Sequence, residues 1–209
     1  LEILGSGQTI TQWMKQNKRE SGYDAFESQL RQLGIDPDFD NSDALAFGVN
    51  NDERNYYLIL SDRTADDLVR GYISGDCTNP SWQFASHTFN KYIPEHMLSP
   101  GFLSFKVMRA EPHAPAKWIG NVYVAVLRQD NSAVLLIDAI QIPWKGIEER
   151  FGMQLLPLPP PYNGRNPKLP FAVDNSAKAE EISDAIIAFL SSNYAVKYGF
   201  KKTYLGFGS

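Results

Sequence analysis

Hydrophobic residues along this chain follow two different periods. Within residues 176–197 they recur at helical spacing. Ile182, Ala185, Ile186, Phe189 and Leu190 stand at i, i+3, i+4, i+7 and i+8, one buried stripe of an α-helix. Gly199 follows as a cap able to turn left-handed. Residues 9–17 and 23–33 read as two shorter helices, the second closed by Gly34 and the Asp36-Pro37 turn. Thr64 opens another, because Asp67 stands three residues after its hydroxyl, and Gly71 ends it. Residues 74–100 read as a loop with helical pieces.

From residue 102 the period falls to two. Residues 102–108, 118–128 and 133–142 are rich in β-branched and aromatic side chains and read as antiparallel strands. Gln129-Asp130-Asn131-Ser132 is a short polar turn, so the last two make a hairpin. Between Val134 and Ile142 only Asp138 and Gln141 break an apolar run, which marks a strand inside the sheet. Residues 55–60, 169–173 and 200–205 add shorter strands. Pro143 ends the central one, and Pro157, Pro159, Pro160, Pro161 and Asn163-Gly164 forbid a continuous element in the 144–168 loop. The order predicts an α/β (α+β) fold: a mixed, mostly antiparallel central sheet flanked by helices. Residues 1–54 form an N-terminal helical segment and residues 55–209 the α/β domain, together one compact unit.

Composition narrows the function. At 43% hydrophobic and 12% aromatic, the 209 residues can bury a core. A net charge of −4 argues against nucleic acid, whose phosphates need a surplus of Lys and Arg. The Lys197, Lys201 and Lys202 patch is too short to change that. No apolar run approaches the ~20 residues of a membrane span, and the first residues carry no basic and apolar signal pattern. Cys77 is the only cysteine, so no intrachain disulfide forms. With His87, His96 and His113 scattered, no metal site is expected, and the cytoplasm is the simplest compartment.

Two passages carry a family resemblance. Trp118-Ile-Gly-Asn-Val-Tyr-Val124, between the strands at 102–108 and 134–142, resembles the hydrophobic-Gly-x-hydrophobic strand of the GNAT acyl-CoA N-acyltransferases. Asn193-Tyr-Ala-Val-Lys-Tyr-Gly-Phe-Lys-Lys-Thr-Tyr-Leu205 is similar to their closing helix-to-strand passage. The resemblance covers about residues 102–206. It implies a GNAT-like sheet that holds acetyl-CoA or another acyl-CoA beside its central strand and passes the acyl group to a small-molecule or peptide amine. Cofactor contacts would fall to the backbone of Ile140, Gln141 and Ile142 and to Lys145 and Gly146 just beyond. The family's glycine-spaced pyrophosphate loop is replaced here by Pro143-Trp144-Lys145-Gly146, and the next helix comes some thirty residues later.

Candidate chemistry centres on Asp138. A carboxylate in an apolar strand is costly unless paired, and burial raises its pKa. The resemblance implies a general base there; an acid facing solvent or paired with a local cation is the structural alternative. Tyr194 is the candidate acid for the departing thiolate, although the family's tyrosine lies four residues before the glycine and Tyr194 lies five before Gly199. Tyr198 is the other tyrosine there, and an amphipathic core role suits both. Cys77, in Gly75-Asp76-Cys77-Thr78-Asn79-Pro80 and upstream of His87 and His96, supports a rival cysteine hydrolase, because a thiolate needs an imidazole near it. A buried packing cysteine is the bland reading. Trp144, Lys145 and Arg150 are exposed-loop candidates for an anionic cofactor, and Asp174-Asn175-Ser176 is a helix N-cap. Three readings stand: an acyl-CoA-dependent N-acyltransferase, a non-catalytic GNAT-like binding domain, and a Cys77 hydrolase.

Overall fold

The computed structural model describes residues 23–35, 44–60, 101–145 and 173–206. Six strands form one sheet in chain order. They are β1 (Leu45–Val49), β2 (Asp52–Leu60), β3 (Phe102–Glu111), β4 (Ala114–Gln129), β5 (Ser132–Gln141) and β6 (Lys202–Leu205). The first five run as an antiparallel meander, and β6 returns parallel to β5. A parallel return needs a crossover, and the C-terminal helix supplies it.

Turn chemistry fixes three of the hairpins. Asn51, His113 and Asp130 take φ of 56°, 58° and 54°, a region Asn, Asp and His tolerate best among non-glycine residues. Pro112 precedes His113, and its ring presets the first corner of that turn. The strand expectations at 55–60, 102–108 and 118–128 fall inside observed strands, and that at 133–142 overruns β5 by one residue, Ile142. β1 was not expected: Leu-Ala-Phe-Gly-Val is short and glycine-interrupted. Its pairing with β2 also places the expected boundary after residue 54 inside a strand.

Residues paired across a ladder share a face. Leu60, Phe105, Val122 and Ile140 therefore form one row across β2 to β5. This face is covered by α2 (Ser176–Phe189), which follows α1 (Tyr23–Gln32). Asn175 caps α2 by accepting the Lys178 N–H at 2.9 Å. Ile182, Ile186 and Leu190 are fully enclosed, each contributing about 1.5–3 kcal/mol by burial.

The helix expected to continue to Lys197 instead widens into a π turn at Leu190–Tyr194 before α3 (Ala195–Tyr198). The buried stripe explains the change. Ile186, Leu190, Tyr194 and Tyr198 are spaced by four, and at 100° per residue each such step overshoots a turn by ~40°. A wider turn takes up the excess and keeps all four on the sheet. Gly199, at φ 81°, then ends the helix as expected, packed against the carbonyl of Gly34, itself at φ 76°.

Candidate functional site

β5 outlasts its parallel neighbour. β6 pairs with it from Val134↔Lys202 to Ile137↔Leu205, and the Gly206 N–H donates to the Ile137 carbonyl at 2.7 Å. Beyond that point β4 still holds β5 through Ile140 and Gln141. On the other side, among the described residues, no strand pairs with Ala139–Gln141. Among the described residues this stretch of β5 is flanked by a strand on one side only.

Asp138 sits where this stretch begins. Tyr123 pairs with Ala139 and Val124 with Ile137, so Asp138 is the extra residue of a β-bulge. Its side chain turns out, and the carboxylate is exposed. Of the two positions weighed from sequence, this is the solvent-facing one: Asp138 alternates away from buried Ile137, and the extra residue returns Ile140 to the helix face. Gly206 lies close against it, since a β-carbon at 206 would stand 2.9 Å from the Asp138 carbonyl oxygen.

The chain leaving β5 comes back to it. Trp144 and Val173 form a parallel bridge, with the Val173 N–H donating to Pro143 O at 2.8 Å and the Lys145 N–H to Val173 O at 2.9 Å. The start of α2 is thereby held at the end of β5 despite the intervening segment. Lys145 pairs with Asp174 at 2.6 Å, and that hydrogen bond holds the Asp174 carboxyl below its ordinary value. Both side chains are well exposed, so the pair itself adds little stability.

Tyr194 is elsewhere. Its ring meets Phe105 edge-on at 5.4 Å and lies against Tyr198 at 4.6 Å. The phenol is 3% exposed, and its hydroxyl has no hydrogen-bond partner among the described residues. Burial, with Tyr198 adding to it, pushes its pKa well above the usual tyrosine value. It shares the sheet face of Ile140 but stands over β3, two strands or ~10 Å away. Of the two positions weighed from sequence, Tyr194 takes the core one. Tyr198 is likewise buried. Cys77, Gly146, Arg150, His87 and His96 lie outside the described residues, and His113 is an exposed turn residue.

One polar constellation escaped the sequence reading. Asp52, Arg54 and Tyr56 alternate along β2 and point to the helix face. Arg54 Nε and Nη2 donate to the two Asp52 oxygens at 2.8 and 2.7 Å, and the Tyr56 hydroxyl donates to Oδ2 at 2.6 Å. Lys178 of α2 reaches the same oxygen at 3.0 Å. Arg54 above all, with Tyr56 and Lys178 helping, keeps the Asp52 carboxyl far below the usual range. Next to it Arg109 pairs with Glu111 at 2.7 Å. The signal was Asp-x-Arg-x-Tyr at strand spacing; reading β2 as starting at residue 55 hid it. This network clamps α2 to β2 and leaves Asp52 no free lone pair for chemistry.

Among the described residues no three His, Cys, Asp or Glu side chains are placed to hold a metal ion, and no helix is long and apolar enough to cross a membrane. Comparison with known proteins finds no similar family, curated protein or solved structure.

Proposed function

We propose that this chain binds an acyl-CoA along the outer edge of β5 and transfers its acyl group to an amine. The observation that carries the reading is the early end of β6, which among the described residues pairs with β5 no further than Ile137, while β4 continues along the other side. An extended pantetheine arm carries amides and pairs with such an edge as an added strand would. The antiparallel meander, feeding a parallel strand through a helix, supports taking the sheet as GNAT-like. In the reaction the amine nitrogen attacks the thioester carbonyl, the C–S bond breaks, an amide forms, and the thiolate leaves to be protonated by water. Asp138, exposed at the bulge, takes the proton from the attacking amine. Lys145 lies near enough to the strand end to meet the cofactor's phosphates.

The second reading is a GNAT-like binding domain without catalysis. The enclosed Tyr194 and the proline-led sequence after β5 favour it. A thermal-shift titration with acetyl-CoA and with CoA tests both readings. Ligand at a hundred times its Kd stabilises the native state by about 2.7 kcal/mol. No shift at millimolar ligand removes the enzyme and makes the non-catalytic domain the leading reading. A shift with acyl transfer that Asp138→Asn abolishes supports the enzyme, and a shift without transfer to any amine leaves the binding domain.

A further inference from the structure

On the opposite edge of the sheet, four strands or ~19 Å from β5, a cleft of about 590 Å³ opens between β1 and α2. We propose that this groove docks an extended, lysine- or arginine-bearing segment of a partner protein as an added strand on β1. The inference stands apart from the acyl-CoA reading and uses none of its residues.

The groove follows the edge of the strand. Ala46 and Phe47 point to opposite faces of the sheet, yet both line it. What two such neighbours share is the outer backbone of β1. Among the described residues β1 pairs only with β2, so its outer N–H and C=O groups face the groove. Natural edges are usually closed by charge or proline. Leu45–Val49 carries neither, and its one irregularity is the register shift around Gly48.

The helical wall fits a strand between them. Glu181, Asp184, Ala185 and Ala188 stand at i, i+3, i+4 and i+7, a single stripe of α2 turned to the groove. The alanines, with Ala46 and Gly48 opposite, leave the room a backbone needs. A β-carbon at Gly48 would meet nothing within 4 Å.

Charge selects the occupant. Asp184 has no ion pair among the described residues, and Glu181 shares only Lys178, at 2.9 Å. The remaining polar lining among the described residues, Asn50, Ser192 and Asn193, is neutral. A segment pairing with β1 brings alternate side chains over α2, and a basic one there meets both carboxylates.

Fluorescence anisotropy with a labelled eight-residue peptide of alternating lysine and valine tests the proposal on the whole chain. Its comparators are the glutamate–valine peptide and a lysine–valine peptide with alternate amides N-methylated. The lysine peptide should bind and move the backbone amide resonances of Ala46–Asn50. Both comparators should lose at least about tenfold in affinity, the loss of roughly 1.4 kcal/mol. Asp184→Lys and Ala188→Trp, at exposed positions, should weaken binding similarly by charge and by filling. No binding at millimolar peptide overturns the proposal, as does equal binding of either comparator or indifference to both substitutions. Concentration-dependent self-association that Ala188→Trp abolishes would assign the groove to a second copy of the chain instead.

Discussion

Gly120 lies directly beneath the Gln141 carbonyl: a β-carbon at 120 would press into that oxygen and stand 2.5 Å from Ile142 Cδ1. The carbonyl is main chain, so no side-chain rotation relieves the clash. β4 must therefore present a glycine wherever the end of β5 crosses this closely. Gly120→Ala should destabilise the fold by about 1–3 kcal/mol, the usual range for overpacking. It should also weaken any acetyl-CoA thermal shift, because it displaces the strand edge proposed to bind the cofactor. Urea unfolding measures the first effect, and an unchanged midpoint would show that the two strands do not approach this closely.

The Asp52 network and the Lys145–Asp174 pair differ in burial, and their energetics should differ too. Tyr56 donates to a carboxylate whose side chain is 5% exposed. Tyr56→Phe should therefore cost about 1.5–3 kcal/mol, the range for hydrogen bonds to charged groups. Lys145→Ala removes an exposed pair and should cost less than about 1 kcal/mol. Paired urea titrations compare them, and the reverse ranking would remove the network from its structural role.

Asp52 and two buried tyrosines, Tyr56 of the same network and Tyr194 of the core, set a pH dependence at each end of the scale. Asp52 is depressed by Arg54 in the native state, so its stabilisation is complete above the unfolded value of 3.8 and lost as pH falls below it. Stability should decline below about pH 4 by up to ~1.4 kcal/mol per pH unit from this group, and Asp52→Asn should flatten that arm. Tyr56 and Tyr194 are raised, chiefly by burial. Their contribution is present below the unfolded value of 10.0 and fades as pH rises through their native values. Guanidinium midpoints across the pH range give both arms, and a wild-type acid arm that Asp52→Asn leaves intact would assign it to other carboxylates.

What the sequence made legible was local. The Ile182–Leu190 stripe, the Asp130-Asn131 turn and the left-handed glycines at 34 and 199 each depend on a few neighbouring residues, and each is where its pattern put it. The bulge at Asp138 is a property of two strands, since it exists only in the register of β5 on β4. The clamp from Lys178 to Asp52 joins residues distant in the chain, and no spacing rule reaches that far. β1 went unseen because five residues around a glycine carry too little pattern to separate a strand from a loop.

Tyr194 is where the two accounts of the molecule can be told apart. Its ring packs against Phe105 and Tyr198, and its hydroxyl bonds to none of the described residues. A buried donor without a partner carries a desolvation penalty of about 1–3 kcal/mol. Tyr194→Phe keeps the ring contacts and removes that penalty, so the variant should be as stable as the parent or more so. Under acyl transfer at the β5 edge, kcat should not change, because the phenol touches no reacting atom. A stable variant with a tenfold loss of kcat would overturn this. It would place the hydroxyl at the reacting centre and make the π turn at Leu190–Tyr194, a feature frequent at functional sites, the element that opens the core to substrate.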